Sequence, residues 1–157
     1  MKSGIAKAAE VLNKLLKINN ERVECYQKAE EKTHELNLKT VFRIMADEGK
    51  KNASELTREI ERIGGDTLGS STSKRSKVYS AWMNIKAIFS GKNRQSILDS
   101  CELGEDAAHA AYYLAISTRE LTMGARQLVR NQQMAWKVLY DLITTFRDGR
   151  PVFIPTF

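Results

Sequence analysis

Apolar residues recur three and four positions apart through most of the chain, the spacing that lines one face of an α-helix. Leu12, Leu15, Ile18, Tyr26 and Ala29 predict a first helix over about residues 5–34. Asn37 then offers an N-cap for a second helix, whose stripe is Phe42, Met45, Gly49, Ala53, Leu56, Ile60 and Ile63. Gly64 and Gly65 close it, because glycine readily takes the left-handed conformation that ends a helix. A polar stretch, GDTLGSSTSKR, follows as a loop. Val78, Trp82, Ile85 and Phe89 predict a short helix over about residues 76–90, packed across the other helices.

A third long helix begins after Asn93, with Ile97, Cys101, Glu105, Ala108, Tyr112 and Ala115 on one stripe. Ser117-Thr118-Arg119-Glu120 has the form of a capping box that opens a fourth helix. That helix carries a heptad at Leu121, Ala125, Leu128, Gln132, Ala135, Leu139, Leu142 and Phe146. The expected fold is all-α: an antiparallel up-down-up-down four-helix bundle over residues 1–148, with the short helix in the long second connection. Residues 149–157, with Pro151 and Pro155, are expected to form an extended tail carrying Val152, Phe153 and Ile154.

A chain of 157 residues buries roughly two-thirds of the surface it exposes when unfolded, so neither a metal nor a disulfide is needed merely to fold. No apolar run approaches the roughly 20 residues of a membrane span, and the lysine-dotted start lacks a secretory core. The expected location is cytoplasmic, with Cys25 and Cys101 as free thiols. The net charge of +6 is spread over every helix, and its tightest group is Lys74, Arg75 and Lys77. This favours a solvated surface over a nucleic-acid partner; Dps-like DNA binding is the alternative that rests on charge.

Polar residues interrupt the stripes. Glu105 and Gln132 lie on the third and fourth helices, Arg22 on the first, and Glu48 and Asn52 at the border of the second. A buried carboxylate is costly unless paired or bound to a cation. Counted from the two tight turns, Glu24, Glu48, Glu105 and Gln132 all fall roughly 10 to 13 residues along their helices, which predicts one mid-bundle layer. The layer has two readings. Arg22, Glu48, Asn52, Glu105 and Gln132 form a hydrogen-bonded structural network, or Glu24, Glu48, Glu102, Glu105 and Gln132 hold a divalent metal such as iron. Di-iron bundles use Glu-x-x-His, whereas Lys51 and Ala108 stand three residues after Glu48 and Glu105. The network reading therefore leads, and no cofactor is expected. Glu31-x-x-His34 and Asp106-x-x-His109 match ligand spacing, but their heights differ by roughly 12 Å. The sequence has no phosphate loop, nucleophile elbow or CxxC pair.

The stretch VYSAWMNIKAIFSGKNRQSILDSCELGEDAAHAAYYLAI resembles a bacterial ferritin-like family, domain of unknown function 2383. The resemblance rests on Trp82 to Lys86, on Gly104-Glu105-Asp106, on the first-helix pattern and on Gly64-Gly65. It implies a ferritin-like cytoplasmic bundle without an assigned catalytic residue, in a setting of stress physiology. The expected function is noncatalytic, acting through an unidentified protein partner or as a homodimer. A metal-handling protein or oxidoreductase with a degenerate site is the alternative.

Overall fold

A computed structural model describes residues 3–67 and 94–149. They form four helices: α1 (Gly4–Lys32), α2 (Leu36–Arg62), α3 (Arg94–Ile116) and α4 (Met123–Arg147). No strand occurs among the described residues, and none of the described helices is long and apolar enough to cross a membrane. The short helix expected over about 76–90 and the tail from residue 150 lie outside the described residues.

The expected stripes face one shared core. Leu12, Leu15, Ile18, Tyr26 and Ala29 of α1 are buried with Phe42, Met45, Leu56 and Ile60 of α2 and Ile97, Cys101, Ala108, Tyr112 and Ala115 of α3. Burying each large aliphatic side chain contributes about 1.5–3 kcal/mol, so this seam dominates the stability. The heptad expected in α4 is corrected. Val129 and Trp136 are buried where Leu128 and Ala135 were expected, and Ala135 is exposed. A straight helix has 3.6 residues per turn, so a strict seven-residue repeat drifts off the core face, and the adjoining Val129 and Trp136 fill it.

Two caps also differ from expectation. Glu35, not Asn37, occupies the N-cap of α2, because Thr33 ends α1 and its hydroxyl accepts from the Glu35 amide at 3.3 Å. Thr122 caps α4 by accepting from Ala125 N at 3.1 Å. The expected box at Ser117 does not form: Ser117 and Thr118 donate back to the Tyr113 and Leu114 carbonyls, each at 3.1 Å, and so finish α3. The closure at Gly64 is as expected, with φ of +84°.

The contacts also set the helix directions. Asn52 meets Asn19 and Arg43 meets Glu30, so α2 runs antiparallel to α1. Lys7 lies 3.7 Å from Glu120, Asn19 meets Tyr112, and Tyr26 meets Glu105, so α3 also runs antiparallel to α1. It follows that α2 and α3 point the same way, and the expected up-down-up-down order is corrected to up-down-down-up. Two tight turns constrain each pair internally, and the packing of one pair on the other decides how the pairs are set against each other.

Candidate functional site

The polar residues of the core gather in two adjacent layers. In the upper layer, α1 brings Arg22 and Tyr26 inward one turn apart, and α3 brings Glu105. The Glu105 carboxylate is fully buried, and its Oε1 accepts from Arg22 Nε at 3.1 Å and from Tyr26 OH at 2.7 Å. Arg22, itself 1% exposed, also directs Nη2 at Met45 Sδ and lies 5.0 Å from the centre of the Trp136 ring. The guanidinium is thus enclosed by a carboxylate, a thioether and an aromatic face.

Burial raises the Glu105 pKa above the ordinary carboxyl value, opposed by the charge of Arg22 and the hydrogen bond from Tyr26. Burial, then the neighbouring carboxylate, pushes the Tyr26 phenol well above 10. Cys101 is raised for the same two reasons, in the same order. The Trp136 indole N–H also favours the ionised carboxyl, yet it falls outside hydrogen-bond geometry. Glu105 Oε2 and Trp136 Nε1 are therefore both buried without a hydrogen-bonded partner among the described residues.

The lower layer is a chain of amides and a phenol that touches all four helices. Asn19 Nδ2 donates to the Leu15 carbonyl and to the Tyr112 hydroxyl, both at 2.8 Å. Tyr112 in turn donates to Gln132 Oε1 at 2.7 Å. Gln132 Nε2 donates to the Asn52 carbonyl at 3.2 Å and to Glu55 Oε1 at 3.0 Å, while Asn52 Nδ2 donates to Asn19 Oδ1 at 3.2 Å. Asn19 and Gln132 each find partners on two other helices, and Asn52 meets α1 with its side chain and α4 with its backbone carbonyl, which pins the register of the bundle.

The residues singled out as ligands are dispersed. Glu24 pairs with Lys28 at 3.0 Å on the half-exposed rim of α1. Glu102 and Asp106 accept from Tyr140 at 3.4 and 2.7 Å between α3 and α4. Burial and Asp106 push the Tyr140 phenol up to about 12. Glu105 is in the upper layer and Gln132 in the lower. Glu48 keeps one buried oxygen, Oε1, without a hydrogen-bonded partner among the described residues. Among the described residues, no three His, Cys, Asp or Glu side chains stand close enough to share a metal ion. His109 is exposed, with its ring 6.0 Å from Trp136.

The corrected helix order explains which height estimates hold. Glu105 is the twelfth of the 23 residues of α3, its midpoint, so reversing the helix leaves it level with Arg22. Gln132 is the tenth of the 25 residues of α4, so reversal moves it into the next layer. Asn19, Tyr26, Tyr112 and Trp136 belong to the site but were not legible as such. The last three read as ordinary core aromatics, and Asn19 lies off the apolar stripe by which the first helix was read.

The sequence matches the family described as Domain of unknown function (DUF2383) over residues 7–118. That span contains Asn19, Arg22, Tyr26, Asn52, Glu105 and Tyr112; Gln132 and Trp136 lie beyond it. No curated protein matches the chain.

Proposed function

Because the chain belongs to the DUF2383 family, whose description assigns no activity, we propose that it is a ferritin-like helical-bundle protein that works by protein association and not by catalysis. The observation that carries this reading is the occupation of Glu105. The carboxylate best placed to serve a metal already holds Arg22 and Tyr26. A cation bound through Oε1 would have to displace a buried guanidinium, leaving that charge unpaired at a cost of several kcal/mol.

The direction of α3 supports the ferritin-like part of the reading, since ferritin-like bundles are distinguished by one long crossover connection. Exposed apolar side chains support association: Leu103, Tyr113 and Leu114 on α3, and Met134 and Val138 on α4. A homodimer is the form of association we carry forward. Metal handling is the second reading, favoured by the unbonded buried oxygen of Glu48.

The test is elemental analysis of the protein purified without chelator, before and after incubation with iron(II), alongside its mass in solution. Metal far below one equivalent per chain, in a dimer, is the expected result. Near-stoichiometric metal that disappears in Glu105→Gln or Glu48→Gln would overturn the noncatalytic reading.

A further inference from the structure

From Ala107 to Thr118 the chain carries no Asp, Glu, Lys or Arg, although only one side of α3 faces the core. Glu105, Ala108, Tyr112 and Ala115 turn inward. On the opposite side, spaced four, three and four positions apart, stand Leu103, Ala107, Ala110 and Leu114. Leu103 is 59% exposed and Leu114 69%, with Tyr113 beside them at 66%. A helix that is apolar on every side is ordinarily enclosed on every side, whereas this one is enclosed on one. The spacing is that of a coiled-coil seam, which calls for a second helix against it.

The seam reads the same in both directions: leucine, alanine, alanine, leucine. It is therefore complementary to itself when two copies run antiparallel. Packed helices cross at an angle, so they are closest at the crossing and diverge beyond it; alanines at the centre and leucines at the ends fit that shape. With a two-fold axis midway between Ala107 and Ala110, Leu103 of one copy is level with Leu114 of the other. Beside Leu114 a groove of about 370 Å³ opens between α3 and α1, lined by Val11, Lys14, Ile18, Ala111 and Thr118. Leu103 of the second copy stands at its mouth. The same axis sets Asp99 within one residue, about 1.5 Å of rise, of the level of Arg119. Both are exposed, and neither enters an ion pair among the described residues. They also share a flank. Asp99 lies two turns before Asp106, which holds Tyr140 of α4, and Arg119 stands in the turn leading to α4. A two-fold axis brings like flanks together, so opposite charges meet at both ends of the seam.

We propose that this face of α3 packs antiparallel on α3 of a second copy, with Leu103 of each against Leu114 of the other, Ala107 and Ala110 at the crossing, and Asp99 beside Arg119. The interface rests on the homodimer reading and adds to it the surface, the direction and the register. Leu103 to Leu114 spans about 16 Å, which places the interface at the small end of the range for specific pairs, so the dimer dissociates on dilution.

Sedimentation of the full chain over a concentration series tests it. A dimer is expected, and a parent that stays monomeric throughout overturns this interface and the homodimer reading together. Leu103→Glu combined with Leu114→Glu should raise the dimer dissociation constant more than about tenfold with helix content unchanged, because it sets carboxylates against the apolar centre of the interface. Met134→Glu combined with Val138→Glu on α4 should leave it in place. A dimer that survives the α3 changes and dissociates with the α4 changes keeps the homodimer reading and overturns this interface. The charges test the register on surface residues alone, independently of how the leucine variants fold. Asp99→Arg and Arg119→Asp should each weaken the dimer several-fold, and the two together should restore it. A double variant no tighter than either single one overturns the antiparallel pairing.

Discussion

Arg22 Nε lies 3.1 Å from Glu105 Oε1 across 83 positions of sequence, joining α1 to the midpoint of α3 with both side chains at or below 1% exposure. Among the described residues it is the one ion pair with both side chains buried, and each member is tolerable there only because of the other. Desolvating two charges offsets most of their attraction, so the pair adds less to net stability than its loss on one side would remove.

Replacing one member should therefore cost more than replacing both. Arg22→Met, which strands the carboxylate, is expected to lower unfolding free energy by about 3–5 kcal/mol. Adding Glu105→Met to it should recover part of that loss. Urea unfolding of the two single variants and the double variant gives the coupling directly. Additive losses would mean that the two charges do not depend on each other.

Stability should fall on the alkaline side. Tyr26, Tyr112 and Cys101 all have folded pKa values raised above their ordinary values, chiefly by burial. The native state then holds protons that the unfolded chain releases. Their contribution is whole below the unfolded values, about 8.5 for cysteine and about 10 for tyrosine, and is lost as pH rises toward the folded ones. Each group adds a slope of up to about 1.36 kcal/mol per pH unit. Tyr112→Phe should make the decline shallower by one group. The carboxyl of Glu105, also raised, acts with the same sign at lower pH: its contribution is greatest in acid and is lost as pH climbs through its folded value, a dependence that Glu105→Gln should remove. Unfolding curves collected over a pH series check both windows.

Two glycine replacements should have opposite signs. A methyl group at Gly49 would meet Val23 Cγ2 at 2.8 Å and the Asn19 carbonyl at 3.3 Å, where α2 packs on α1. Gly49→Ala should destabilise by about 1–3 kcal/mol, because the steric cost exceeds the gain of about 1 kcal/mol in helix propensity. At Gly124 the nearest atom would be the Arg62 guanidinium at 3.5 Å, an ordinary contact. Gly124→Ala should be neutral or stabilising by a few tenths of a kcal/mol, since it lies in the first turn of α4. Thermal unfolding of the two variants decides whether packing or propensity governs each site.

The start of α4 gives a further contrast. Thr122→Ala removes the side-chain cap on Ala125 N and should cost about 1 kcal/mol. Ser117→Ala removes only a bond back to the end of α3 and should stay within about 0.5 kcal/mol of the parent. The reverse ranking would restore the capping box at Ser117.

The apolar stripes of α1 and α3 and the closure at Gly64 were legible because they depend on local geometry, the 3.6-residue turn and the freedom of glycine at positive φ. Glu105 stood out for the same reason, as a charge on an apolar stripe. Local geometry could not decide between competing signals of similar strength. Ser117 and Thr122 are each plausible caps, and the side chain that reaches a free amide depends on where the preceding helix stops, while Glu35 takes the N-cap position of α2 with no side-chain hydrogen bond at all. Leu128 and Val129 are equally apolar neighbours, and only the facing helices determine which of them turns inward. The direction of α3 was likewise beyond periodicity, which reads the same along a helix in either sense. Tertiary packing made that choice, and with it brought Arg22 to Glu105 and moved Gln132 to Tyr112.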